Sequence, residues 1–496
     1  MKYVIGIDLG TSGVKCILLS DGGRIVSSRS ASYSPDFGER GHVEQDPAVW
    51  WDNTLAVLKS LIDDNPGAAD GIVAMSCSGQ MHSSVFLDGN GNVVRPAILW
   101  NDTRTTKQTK TIRERAGGEG ELLRAVYNRA LEGFTLPKIL WLAENEPDNF
   151  KKVAKVIMPK DYINYKLTGR VATDCSDAAG TLLFDIKNRA FDAGFAVKMG
   201  VPPEILPEVL ESTGVVGTLS ADIAREIGLP EDVSVVAGGA DNSCAAIGNG
   251  VVKEGQAVLS IGTSGTIVAF LSDIKAKVTG DVHLFDYSYP GGIYAMGVAL
   301  SAGESLSWLR RSLFNEYNFD DMNALAGASP PGSNKLIFLP YIFGERCPYS
   351  DANARGVFFG LSGTTDRRDI VRAVMEGVAY SMKDLYGLVS DFVPIDEIYI
   401  TGGGAKSNVW GQIISDVIGV ELSVLNIEEG PAFGAAIIAA VGCGMYGSFE
   451  EAKAKTLSVT KVFRPQPKSV YEKQYAIYKK LYAANKNLFA ELSAAE

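Results

Sequence analysis

The chain has 496 residues, is 46% hydrophobic, and carries 47 basic against 58 acidic side chains, for a formal charge of −11. That balance fits two or three ordinary globular domains and excludes disorder, collagen and coiled coil. The acidic sum argues against broad nucleic-acid binding, because phosphate backbones are repelled, but leaves room for a local pocket around one small phosphate.

Along the chain, Tyr3–Asp8 reads as an apolar strand running into Leu9-Gly10-Thr11-Ser12-Gly13. Asp8 interrupts the apolar run and no small-residue cleavage site follows, so a secretory leader is not expected. Val14–Ser20 follows as a strand, Asp21-Gly22-Gly23 as a hairpin turn and Arg24–Ser28 as a returning strand. A hairpin with a glycine-rich tip is not how a parallel βαβ unit opens. Asp46-Pro47 predicts a helix N-cap, followed by Trp51, Leu55, Leu58 and Ile62 on one apolar stripe. Gly71–Ser76 is a buried strand that ends in Ser78-Gly79-Gln80-Met81-His82, with Val85–Leu87 and Ala97–Trp100 as further strands. Thr105–Leu229 reads as mostly helical.

Val233–Gly238 is a strand opening onto Gly238-Gly239-Ala240-Asp241-Asn242. Ala257–Ile261 runs into Gly262-Thr263-Ser264-Gly265, and Thr266–Leu271 follows as a strand. Ile398–Ile400 enters Thr401-Gly402-Gly403-Gly404-Ala405. Pro431–Met445 is apolar but rich in Gly and Ala and too short for a membrane span, so it reads as a buried helix and no membrane partner is expected. Ser469–Phe489 carries Tyr471, Tyr475, Tyr478 and Tyr482 at helical spacing and predicts a closing amphipathic helix. Six cysteines without a CxxC pair read as reduced, mostly buried thiols of a cytoplasmic protein, and their spacing disfavours zinc.

Gly-Thr-Ser-Gly stands at Gly10 and again at Gly262, each time between two apolar strands and about half a chain apart. The repeat predicts a duplicated α/β unit, two similar lobes facing one another. Their expected extents are 1–237 and 238–465, with the closing helix in 466–496. Ile398–Ile400 then takes the place in the second lobe that the Gly71–Gly79 stretch takes in the first. Two lobes with a site between them imply hinge closure.

Both tips present main-chain N–H groups and hydroxyls: Gly10, Thr11, Ser12 and Gly13 in one, Gly262 and Thr263 in the other. Concave donor clusters of this kind bind phosphate oxygens. Asp8 stands where a dinucleotide fingerprint would want glycine. An acid beside a phosphate makes sense with a divalent cation between them, and Mg²⁺ needs few carboxylates. Lys15 either reaches the same phosphates or is a solvated strand residue. No GxxxxGK[ST] or GxSxG motif occurs, which removes the P-loop and serine-hydrolase readings. Bare Gly403 and Gly404, with Asn408 at a helix start, leave room for a flat base or sugar against the backbone. On the acceptor side, Asp241 is the candidate base for a phosphoryl acceptor, although its position also suits a helix cap. Asn242 beside it could hold the acceptor. Gln80, Met81 and His82 with Trp100, Asn101, Asp102 and Arg104 form a polar, aromatic set suited to hydroxyl-rich ligands.

These residues resemble the FGGY carbohydrate kinases, of the actin/hexokinase superfamily, nearly end to end. Gly6–Ser12 is similar to the family's first phosphate motif. Phe134–Trp141, and Arg355–Leu361 through Glu376–Tyr380, are similar to its two signatures. Within the family, Ser78–His82, Ile98–Asp102 and Ser176–Thr181 are similar to members that phosphorylate D-xylulose. The resemblance implies an α/β fold of two actin-like (ribonuclease H-like) lobes with a cleft between them, ATP and Mg²⁺, a small sugar as substrate, and a homodimer. It implies Asp241 as base, Asp8 as the metal-associated acid, and Met81 and His82 as the sugar-contacting pair. Thr263 would be the second-lobe phosphate contact, Gly403, Gly404 and Asn408 the adenosine loop, and Gly303 a further nucleotide contact. Ser83 stands where Gly is usual after Met-His, and Cys347 and Tyr349 where Thr and His are usual. Ribulose, gluconate or another polyol as substrate, or a non-catalytic sugar sensor on the same fold, therefore stay open.

Overall fold

The computed structural model describes residues 1–427, 429–466 and 468–495. Glu428, within the expected second lobe, and Pro467 and Glu496, within the expected closing stretch, lie outside the described residues. The chain forms two compact units. The first gathers Met1–Val252, Leu284–Tyr294 and Glu429–Leu457, and the second Lys253–His283, Ala295–Glu428 and Ser458–Glu496. This differs from a single cut between 237 and 238, because the stretch after Asp241 and the helix Gly430–Gly442 both pack with the first unit.

The first unit is built on a six-stranded sheet, in the order Val215–Thr218, Ser234–Ala240, Ile72–Gly79, Tyr3–Leu9, Gly13–Ser20, Ile25–Ser32. The two pairs at its centre are parallel, and the two hairpin pairs on the Gly13–Ser20 side are antiparallel. Strand alternation gives the sheet two different faces. Ile5, Ile7, Leu9, Cys16 and Leu18 join Trp50, Leu58 and Ile62 of the helix Pro47–Asp63 in one core. The expected cap is present: the Asp46 carboxylate accepts from Ala48 N–H at 2.9 Å.

The other face carries Val4, Gly6 and Asp8, with Ile17 opposite Gly6, and the helix Gly430–Gly442 lies on it. A β-carbon on Gly6 would stand 2.0 Å from the Ala432 carbonyl oxygen. The same helix crosses the helix Asp241–Gly248 so closely that a β-carbon on Gly434 would meet the Cys244 carbonyl at 1.8 Å. The Gly- and Ala-rich run thus forms a buried helix because only hydrogen-sized side chains permit this backbone approach.

In the second unit the strands Gly265–Leu271, Gln256–Ile261, Glu397–Gly402, Leu422–Leu425 and Val459–Phe463 lie side by side in that order. The inner helix Arg367–Ser390 is buried along most of its length. The closing helix Ser469–Ala494 packs near it, with Tyr471, Tyr478 and Tyr482 buried. Arg372 donates to the Tyr471 hydroxyl at 2.8 Å, and the Tyr341 and Tyr478 hydroxyls lie 2.7 Å apart.

The expected duplication is present, but the two tips close differently: Leu9 pairs with Val14, whereas Ile261 pairs with Gly265. The Tyr3–Leu9 hairpin turns through Gly10 N–H to Gly13 carbonyl at 2.9 Å, and the Gln256–Ile261 hairpin through Gly262 N–H to Ser264 carbonyl at 3.1 Å. Leu9 stands opposite Gly79 on a parallel neighbour, and Ile261 opposite Gly402 on its own. All six cysteines are free thiols, five of them buried. Among the described residues, no helix is long and apolar enough to cross a membrane.

Candidate active site

In the first unit, strand ends deliver the residues expected on the acceptor side. Asp241 follows the strand Ser234–Ala240 and opens the helix Asp241–Gly248. Gly238 makes that strand end possible: it has φ of 75°, and a β-carbon there would stand 1.9 Å from the Cys77 carbonyl. The Asp241 carboxylate does not reach along the first helical turn as a cap would. Its Oδ1 accepts from the Asn242 main-chain N–H at 2.6 Å and from the Asn242 amide at 2.9 Å. Burial pushes its pKa up to about 6, against the lowering effect of those two bonds.

Asn242 Nδ2 also lies 3.7 Å from the Met81 sulfur, which the Tyr294 hydroxyl approaches to 3.6 Å. His82 follows directly, its Nδ1 2.9 Å from the Gly180 carbonyl. Trp100 is exposed at the rim, and its indole N–H donates to Thr11 Oγ1 at 2.9 Å. Thr11 in turn donates to Gln80 Oε1 at 3.3 Å, tying the first hairpin tip to the Gln80-Met81-His82 corner.

Asp8 sits on the strand Tyr3–Leu9, facing Lys15 across the hairpin and Ser78 on the parallel side. Burial, then the neighbouring Asp241 charge, raises its pKa to about 7, with Ser78 and Lys15 opposing. Lys15 is neither a lone solvated residue nor aimed only at a ligand, because it forms an ion pair with Glu429. Among the described residues, no cluster of three or more metal-ligating side chains occurs.

Behind Asp241 lies a buried network that the sequence did not announce. Lys160 is fully buried and pairs with Asp161 at 2.5 Å, Asp174 at 2.9 Å and Asp177 at 3.4 Å. Burial alone would lower its pKa, but the three carboxylates carry it well above the ordinary value. Asp174 accepts from Ser176 Oγ at 2.5 Å, and Ser176 Oγ accepts from Ala240 N–H at 2.9 Å, immediately before Asp241. The Ser176–Thr181 motif was legible as a motif. Its partner Lys160 was not, since nothing local marks a lysine for the interior.

The second unit holds a cavity of about 510 Å³ that contains Gly262, Thr263, Gly303, Gly403 and Gly404 among its lining residues. Gly262 and Thr263 carbonyls accept from Gly303 N–H at 2.7 Å and Glu304 N–H at 3.1 Å, so the second tip and the helix Gly303–Leu313 are one rigid corner. Gly404 packs against Ile261, where a β-carbon would stand 2.5 Å from the side chain. Asn408 departs from expectation. It is exposed, lies outside the cavity lining, and its amide oxygen accepts from Lys461. Ser407 is the actual cap, accepting from Trp410 N–H at 3.1 Å and donating to Asn323 at 2.6 Å. Leu306, Phe319, Lys406 and Trp410 also line the cavity and carried no motif in the sequence.

The FGGY family of carbohydrate kinases matches this chain twice, by its N-terminal domain over residues 3–248 and its C-terminal domain over residues 257–443. The xylulose kinase of Staphylococcus xylosus is 40% identical over 452 residues, covering 91% of this chain and 93% of the relative. That of Lactococcus lactis is 41% identical over 482 residues, 96% of each. The solved structure of ligand-bound xylulose kinase from Lactobacillus acidophilus matches with a TM-score of 0.93 at 27% identity, over 99% of this chain and 100% of that one. The α/β, actin-like fold that the resemblance implies is the fold of these kinases. With both domains matched in order, and relatives similar over nearly the whole length, the chain belongs to the FGGY family of carbohydrate kinases, which use ATP as phosphoryl donor.

Proposed function

We propose that the protein transfers the γ-phosphoryl group of ATP to the terminal hydroxyl of D-xylulose, giving D-xylulose 5-phosphate and ADP. The observation that carries this reading is the grouping of Asp241, Asn242, Met81 and His82 at adjoining strand ends of the first unit. Its relatives' names supply the sugar. Ser83, the departure from the family pattern, does not count against it: the side chain is buried, donates to Gln80 Oε1 at 3.2 Å and accepts from Trp100 N–H at 3.0 Å. It supports the Trp100 loop from behind. The six free thiols fit a cytoplasmic location.

Both Asn242 donors take Oδ1 of Asp241, which turns the other carboxylate oxygen to an incoming hydroxyl. With a pKa of about 6, Asp241 is an anion near neutrality yet holds a proton better than an ordinary aspartate. It accepts the hydroxyl proton as the new O–P bond forms and the bond to the ADP oxygen breaks. Asp8 fits Mg²⁺, since it is a single carboxyl group made uncomfortable by burial and by a second acid. When bound there, Mg²⁺ supplies positive charge to the phosphate oxygens. Gly10 N–H closes the turn onto the Gly13 carbonyl, and the tip residues Thr11, Ser12 and Gly13 that it holds would add fixed dipoles to the same task. In the second unit Thr263 would receive phosphate, Gly403 and Gly404 the adenosine, and Gly303 would be a further nucleotide contact.

The test is ADP release from Mg²⁺-ATP with D-xylulose, D-ribulose, gluconate, glycerol and no sugar. The reading expects kcat/KM for D-xylulose to exceed the others at least about ten-fold. A higher value for another sugar would replace the substrate, and no release with any sugar would favour the sensor.

A further inference from the structure

His82 has φ of 66°, in the left-handed region that side chains avoid. Several anchors hold it there. Its carbonyl accepts from Thr135 Oγ1 at 3.1 Å and from Lys138 Nζ at 2.9 Å, both on the helix Thr135–Asn145. Its ring packs against Phe134 and Phe285, with centroids 4.5 and 5.7 Å away. A β-carbon on Gly180 would stand 2.7 Å from Nδ1, so the ring occupies space that only glycine leaves. The Gly180 carbonyl can only accept, which places a proton on Nδ1 and points Nε2 away from that contact.

Lys138 is the unexpected member of this group. It is wholly buried, and its other hydrogen bond goes to the Gly133 carbonyl at 2.6 Å. Burial holds its pKa well below the usual lysine range. An amine removed from water to grip two main-chain carbonyls is a costly way to fill a core, since methionine would occupy the same space without desolvation. Its geometry has one evident product, the backbone pose of His82.

We propose that Lys138 is a positioning residue for the sugar. Acting with Thr135 through the His82 carbonyl, it aims the imidazole and thereby sets which acceptor hydroxyl the ring engages. This rests on the reading of His82 as a sugar contact. The prediction is specific: losing the Lys138 amine weakens sugar recognition and leaves nucleotide recognition intact.

The experiment is a double-mutant cycle of Lys138→Met and His82→Ala, read as KM for D-xylulose, KM for ATP and kcat. Lys138→Met is expected to raise the sugar KM about ten-fold and to shift the D-xylulose to D-ribulose ratio in the direction that His82→Ala does, with KM for ATP within about two-fold. In the double variant the sugar KM should equal that of His82→Ala alone, because Lys138 acts through His82. Additive losses, or a normal sugar KM in Lys138→Met while His82→Ala is impaired, overturn the positioning role. A normal sugar KM in His82→Ala overturns the sugar-contact reading itself, and the proposal with it. Should Lys138→Met fail to fold, Thr135→Val, which removes the second donor, takes its place in the same cycle, with a smaller expected shift and the same criteria.

Discussion

The Asn242 main-chain N–H and side-chain amide both donate to Oδ1 of Asp241, at 2.6 and 2.9 Å. One carboxylate oxygen is thereby engaged, and in the proposed mechanism the other takes the acceptor hydroxyl. Asp241→Asn keeps the size and loses the base, so kcat should fall about 10²–10⁴-fold while the sugar KM changes little. Steady-state kinetics with D-xylulose and ATP check this, and near-normal turnover would remove Asp241 from the mechanism.

The same carboxyl should also register in stability. Burial raises its pKa from the ordinary 3.8 to about 6. The folded state therefore favours the neutral acid. Its stabilising effect is complete below about pH 4 and is lost as pH rises through about 6. Asp241→Asn escapes that loss and should be more stable than the parent by about 1–3 kcal/mol at pH 7.5, with the gap closing toward pH 4. Urea melts at both pH values decide it. Catalysis runs the opposite way, since it needs the anion, and kcat/KM should fall below about pH 6.

Asp8 is raised to about 7 by burial and by Asp241. Asp8→Asn removes the charge that would hold a dication. The Mg²⁺ concentration giving half-maximal activity should rise at least about ten-fold. A titration of activity against Mg²⁺ measures it, and an unchanged midpoint would detach Asp8 from the metal.

Gly403 and Gly404 are neighbours with opposite constraints. A β-carbon on Gly404 would press on Ile261 at 2.5 Å, whereas one on Gly403 meets only the Ile261 carbonyl, at 3.8 Å. Gly403→Val should fold normally, project into the 510 Å³ cavity and raise KM for ATP about ten-fold with the sugar KM unchanged. A variant that altered only sugar kinetics would contradict the nucleotide assignment.

Gly434→Ala places a β-carbon 1.8 Å from the Cys244 carbonyl. The helices must separate, and the variant should lose roughly 3 kcal/mol or more. Thermal melting checks it, and a loss under about 0.5 kcal/mol would mean the crossing is looser than described.

Where chemistry and local pattern coincide, the sequence was informative. The strand at Tyr3, the cap at Asp46 and the hairpin tips at Gly10 and Gly262 follow from alternation, capping and turn preference, and each is present. The pairing of Gly79 with Gly402 as equivalent strand ends followed from the repeat alone. What failed were features decided by partners distant in sequence. Lys138 lies in the Phe134–Trp141 signature and Lys160 in no motif, and neither shows its burial locally, because His82 for the one and Asp174 and Asp177 for the other arrive from elsewhere. Of the two roles open to Asn408 at its helix start, the cap went to Ser407, whose hydroxyl accepts from Trp410 N–H. The boundary at 237 misjudged the chain because the Gly430–Gly442 helix shows its destination only through backbone contacts at Gly6 and Gly434.

The return of that helix bears on how the polypeptide is made. A ribosome that has released Val252 has delivered the sheet around Tyr3–Leu9 but not the helix that covers its Gly6 face. Throughout translation of the second unit, this face waits for Gly430–Gly442 to emerge. The nascent chain therefore carries it uncovered through nearly two hundred codons, and a chaperone binding there would have its opportunity in that interval.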